Sequence, residues 1–145
     1  MAWLAGVFLL ACQAGDVWSP SPDLRTAPAV TVEVGLGQTT RFHDVEVAFT
    51  AVPEDSRCPV DVICVRAGNA VVEIGVTPAF GEGPSHRLVL NTTEGAHDGV
   101  AWDVRVTLLQ LLPDPVSTRV TPAQDYVAKL SLEGECAGVS CPPGS

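Results

Sequence analysis

Apolar residues that recur at every second position constrain this chain more than any other feature. Val30, Val32 and Val34 point one way along an extended segment while Thr31 and Glu33 point the other, which is the period of a half-buried strand. The same spacing returns in Val45, Val47, Phe49 and Ala51, a row ended by Pro53, and in Ala70, Val72, Ile74 and Val76. It returns again in His86, Leu88 and Leu90, in Trp102, Val104, Val106 and Leu108, and in Tyr126, Ala128, Leu130 and Leu132. Turn residues separate these rows: Gly35-Leu36-Gly37, the stretch from Pro78 to Pro84, the polar stretch from Asn91 to Gly99, and Pro113 with Pro115. Alternation fails at Leu108-Leu109-Gln110-Leu111-Leu112, which predicts a bulge or a strand buried on both faces. No stretch carries a helical period, so the expected fold is all-β: one antiparallel β-sandwich of about seven strands, with a small β-barrel as the alternative.

The 145 residues suffice for one core. The alternating rows place the β-sandwich domain at 29–134, with a Cys/Pro/Gly-rich tail at 135–145. The opening run from Met1 to Ala11 is apolar, too short to span a bilayer, and gives way to a Pro/Ser-rich linker over 12–28. Leu9-Leu10-Ala11-Cys12 resembles a lipobox at the end of a signal segment, residues 1–11. The resemblance implies cleavage before Cys12, a lipid on its thiol, and export to a bacterial envelope. No Lys or Arg precedes the run, and the expected reason is a start upstream of Met1. The formal net charge is −9 and the eight Lys plus Arg are scattered singly, so there is no footprint for a phosphate backbone; nucleic acid is not an expected partner.

Five cysteines leave four once Cys12 is assigned to lipid. Cys58, Cys64, Cys136 and Cys141 fall as two close pairs, and local pairing is the simplest of three possible connectivities. Intervening stretches of five and four residues, the second on a glycine-rich tail, fit neither a zinc site nor a Cys-x-x-Cys redox centre. No metal or other cofactor is expected.

The densest run of special residues is Glu54 to Ala70. Asp55 and Ser56 suit side-chain-capped turns, Pro59 stiffens the loop, and Gly68-Asn69 suits a turn with positive φ before the next strand. Arg57 and Arg66 lie close in sequence to Glu54, Asp55 and Asp61, so one carboxylate is expected to pair with an arginine, bidentately if buried. The bland reading is a crossover loop pinned by a bridge and an ion pair. The functional reading is a contact surface formed by the charged rim Asp55, Arg57, Asp61 and Arg66.

Asp55-Ser56-Arg57-Cys58-Pro59, followed by Cys64 and Ala67-Gly68-Asn69-Ala70, resembles the signature of a family of small exported bacterial proteins, many of them lipoproteins. Arg66 stands where that pattern has tryptophan. The family carries no agreed activity, so the resemblance implies export and a β-fold and no mechanism. His43, His86 and His97 are the only imidazoles, and no Ser or Cys sits in a nucleophile-elbow or papain-like context. The expected function is therefore that of a non-enzymatic, lipid-anchored β-domain that contacts an envelope protein and meets the membrane through its anchor only. An inhibitor of exported proteases presenting the bridged loop is the alternative, and a metal-dependent or hydrolytic enzyme comes last.

Overall fold

The structure, a computed structural model, describes residues 28–134. Cys12, Cys136 and Cys141, and with them the expected lipid site and second bridge, lie outside the described residues. Eight strands follow in order: β1 (Val30–Gly35), β2 (Thr39–Phe42), β3 (Val45–Asp55), β4 (Ala70–Pro78), β5 (His86–Asn91), β6 (Asp98–Ala101), β7 (Val104–Leu112) and β8 (Val127–Gly134). They form two four-stranded sheets, in the orders β1-β8-β7-β6 and β2-β3-β4-β5, with every pair antiparallel. The sheets are not closed into a barrel, and the architecture is the expected sandwich.

The core is the set of inward positions that period two selects. Val47, Phe49, Val72, Ile74, Val76 and Leu90 from one sheet meet Val34, Val106, Leu111, Ala128, Leu130 and Leu132 from the other, all at most 2% exposed. Among the described residues no polar side chain is buried there. Each such Val, Leu, Ile or Phe side chain contributes about 1.5–3 kcal/mol by leaving water, which is the main force holding the sheets face to face.

Two local expectations need correction, each for a physical reason. The about seven strands expected are eight, with β2 and β6, four residues each, burying only Phe42 and Ala101 and so too short to show a row. Pro53 does not end its strand: β3 continues to Asp55, and Pro53 falls within a register shift against β4, where a ladder N–H can be missing. Trp102 begins no strand but sits with Asp103 in the tight turn between β6 and β7, both at positive φ. The break in alternation at Leu108 is a bulge, with Leu109 the extra residue, turned outward and 50% exposed.

Antiparallel register assigns every connection to one of two poles. At one pole lie the turn 36–38 and the loops 56–69, 92–97 and 113–126. At the other lie the turns at His43-Asp44 and Trp102-Asp103, the loop 79–85, and the two ends of the described chain near Val30 and Gly134. The nine residues of β4 separate the poles by roughly 26 Å at about 3.3 Å per residue.

Candidate functional site

β3 delivers Asp55 to the first pole, and the chain turns there so that Arg57 folds back onto it. Asp55 Oδ1 accepts from Arg57 Nε at 2.8 Å and from the Arg57 backbone N–H at 3.3 Å, while Oδ2 accepts from Arg57 Nη2 at 2.7 Å. The guanidinium is not used up by this fork. Nη1 donates to the Leu111 carbonyl at 2.5 Å and Nη2 to the Pro113 carbonyl at 3.0 Å, the first near the end of β7 in the opposite sheet and the second just past it. Tyr126, just ahead of β8, completes the unit by donating its hydroxyl to Asp55 Oδ2 at 2.9 Å. The Arg57 and Asp55 side chains are 11% and 13% exposed, and the guanidinium bonds both Asp55 on one sheet and carbonyls at the end of the other, so the pair acts as a latch between the sheets.

Burial alone would raise the Asp55 pKa, but hydrogen bonds from Arg57 and Tyr126, with the guanidinium charge, outweigh it and hold the carboxyl below its usual value. Tyr126 moves the other way, raised by burial and by its bond to Asp55. A lowered folded-state pKa means stability that is present above the unfolded value, about 3.9, and lost as pH falls through the folded one. Unfolding free energy measured in urea should therefore hold level from about pH 7 to 5 as far as this group is concerned and drop below about pH 4. The drop should be shallower in Asp55→Asn. The raised Tyr126 adds a second, alkaline loss, as pH climbs past about 10.

A second cluster fixes the return limb of the loop. Gly68 takes φ +70°, which brings Asn69 alongside Ser56: the Ser56 N–H donates to the Asn69 carbonyl at 2.7 Å and the Ser56 hydroxyl to the same oxygen at 2.9 Å. The Asn69 amide then donates to Asn91 Oδ1 at 2.8 Å, and its oxygen accepts from the Thr93 N–H at 3.0 Å. Thr92 Oγ1 accepts from the Ala70 N–H at 2.8 Å. The loop 92–97 is thereby clamped to the base of the bridged loop.

The Cys58–Cys64 disulfide is present, with Cα atoms 5.9 Å apart. The Cys58 N–H donates to the Ala67 carbonyl at 2.8 Å and the Val60 N–H to the Pro115 carbonyl at 2.9 Å. Asp61 accepts twice from Ser117, from the backbone N–H at 2.8 Å and the hydroxyl at 2.6 Å, and these bonds lower its pKa. The loop is thus lashed to the β7–β8 connection and to its own base. Its outer surface is aliphatic: Ile63 and Val65 are fully exposed, and Val60 is two-thirds exposed. Among the described residues no backbone hydrogen bond involves Ile63, Cys64, Val65 or Arg66, so this strip offers free N–H and C=O groups beside two bare β-branched side chains.

The four charged residues singled out by sequence therefore part company. Asp55 and Arg57 face inward as a latch, Asp61 secures the loop, and Arg66 is exposed and pairs with no described residue. Sequence reasoning missed the aliphatic tip and the Asn69 and Ser117 anchors. The signal for the tip was the run Val62-Ile63-Cys64-Val65, apolar yet placed between turn residues where it continues no alternating row. Beside the latch, Arg57, Thr92, Leu108 to Leu111 and Asp114 line an open cleft of about 190 Å³, below the about 300–1,000 Å³ of ordinary small-molecule sites. Among the described residues no three of His, Cys, Asp and Glu converge as metal ligands would. No family model, curated protein or solved structure matches this chain.

Proposed function

We propose that this protein is a non-enzymatic, lipid-anchored β-domain of the bacterial envelope that binds another envelope protein through the strip Ile63–Arg66. The observation that carries the reading is the combination of an unpaired backbone with fully exposed Ile63 and Val65 on a loop tied down by a disulfide, Asp61, Val60 and Asn69. A segment so fixed loses little conformational entropy on binding. Free backbone groups flanked by aliphatic side chains suit a partner that adds a strand edge and small apolar pockets. Arg66 at the rim supplies orientation more than affinity. The described chain begins at the far pole, so the linker attaches at the end opposite this strip.

The test is to place a photo-crosslinking residue at Ile63 or Val65 in cells, purify the captured protein, and measure its affinity for the intact chain by calorimetry. Ile63→Ser with Val65→Ser should weaken that affinity at least about tenfold, equivalent to about 1.4 kcal/mol, with a melting temperature unchanged because both side chains are already in water. Unchanged affinity in the double variant would remove the strip from the interface. The same strip supports a second reading, an inhibitor of exported proteases, because a bridged, solvent-exposed segment is what a protease groove engages. Saturable inhibition of one protease in a purified panel, with the Ile63–Cys64 and Cys64–Val65 bonds left uncut, would favour that reading over the first.

A further inference from the structure

The pole opposite the bridged loop carries a second exposed apolar surface, built in a way that period-two patterning does not require. Trp102 and Asp103 occupy the two-residue turn between β6 and β7 at φ 52° and 57°. Turns with two left-handed residues favour Asn-Gly or Asp-Gly, because that backbone crowds a Cβ. A tryptophan there is held against its own preference. Its indole is braced edge-to-face on His86, with centroids 5.3 Å apart, and so closely over Gly83 that a Cβ on that glycine would lie 3.1 Å from the ring. Even so, Trp102 is 40% exposed, and Phe80 on the adjoining loop is 68% exposed beneath the Arg41 guanidinium. Strained backbone that presents an aromatic ring to solvent points to a ligand surface.

What covers that surface follows from where the chain ends. Register puts Val30 and Gly134 at this pole, so the segment 1–27 attaches here. We infer that this pole is a bilayer-contacting face, with Trp102 and Phe80 resting in the interfacial layer of a zwitterionic membrane. This rests on the lipid-anchored reading of Cys12. Tryptophan settles at the headgroup level because its ring is apolar and its N–H polar, and Arg41, stacked over Phe80 and in an exposed pair with Glu46 at 3.6 Å that a lipid phosphate can replace, has its stem against the ring. Asp44, Glu82 and Asp103 share the same turns and would repel anionic headgroups, which selects a zwitterionic surface. A tether keeps the face at high local concentration, so a contact too weak to hold a free domain suffices to orient a tethered one. The domain then stands with its bridged loop pointing outward.

The test uses the full chain, processed by a lipoprotein-exporting host, with Trp3→Phe and Trp18→Phe so that Trp102 is the one remaining indole. Mass spectrometry first reads whether Cys12 carries lipid. The protein is then incorporated into, or mixed with, phosphatidylcholine vesicles with and without brominated acyl chains. The expected result is a blue shift and at least twofold quenching of Trp102 by the brominated lipid, with Phe80→Ser reducing it. In a companion chain that carries Trp102→Phe and Ile63→Trp, the indole at the other pole should stay unquenched. A lipidated chain whose Trp102 is not quenched overturns this inference and leaves the anchor standing. An unlipidated chain overturns the anchor, and the inference then stands or falls on whether added vesicles quench Trp102. Equal quenching at both poles overturns the orientation, and protection of Trp102 from both brominated lipid and aqueous iodide shows the face covered by the chain's own segments, which also overturns it.

Discussion

Arg57→Ala is expected to lower unfolding stability by about 3–5 kcal/mol, a large share of what a domain of this size has. The reason is what the truncation leaves behind. Asp55 would stay largely out of water with its two short arginine bonds gone, and the carbonyls of Leu111 and Pro113 would lose their donor. Removing one partner of a buried, hydrogen-bonded charge pair is far more costly than removing both. Asp55→Ala should be milder, about 1–3 kcal/mol, since Arg57 keeps the two carbonyls. Arg57→Lys retains the charge but cannot fork onto a carboxylate while reaching two carbonyls on another sheet, so it should recover only part of the loss. Urea unfolding of the three variants checks the order. A loss below about 1 kcal/mol in Arg57→Ala would show an ordinary solvated surface pair instead of a latch.

The latch also shows where sequence reading stops. That one carboxylate among Glu54, Asp55 and Asp61 pairs with an arginine was legible from their closeness in sequence to Arg57 and Arg66; that it is Asp55 with Arg57 was not. That the guanidinium goes on to the carbonyls of Leu111 and Pro113, or that Tyr126 joins it, was not legible, since those acceptors come within reach only when the two sheets stack. The long strands were readable because each buries a full row against the other sheet. β2 and β6 were not, because four residues with one buried apolar side chain carry no period. At the loop the charged rim was legible as a set of residues, and which of them face water was not. Ile63 sits inside the small ring closed by the Cys58–Cys64 bridge and Val65 just past it, and both are fully exposed, while Asp55, Arg57 and Asp61 serve as fixings and the exposed Arg66 pairs with no described residue.

Gly68 is the position where that geometry is most sensitive to a single methyl group, and Gly68→Ala should cost more than about 3 kcal/mol. Two separate penalties combine there. The residue holds φ +70°, where any L side chain costs about 1–2 kcal/mol. A Cβ would also fall 1.8 Å from the Ser56 carbonyl oxygen, 2.7 Å from its carbon and 3.0 Å from Arg57 Cα, all backbone atoms that no rotamer change can move aside. Relief requires the Ser56–Asn69 pair to open, which withdraws Asn69 from Asn91 and Thr93 and loosens the base of the bridged loop. Gly37 supplies the control, because it has φ +80° and nothing within 4 Å of the point where a methyl would sit, so Gly37→Ala should lose only the backbone part, about 1–2 kcal/mol. The difference between the two variants in urea unfolding isolates the steric contact, and equal losses would mean that Ser56 yields freely. Gly68→Ala should in addition weaken binding at Ile63 and Val65 without touching either side chain, since the strip keeps its shape only while its two limbs stay paired.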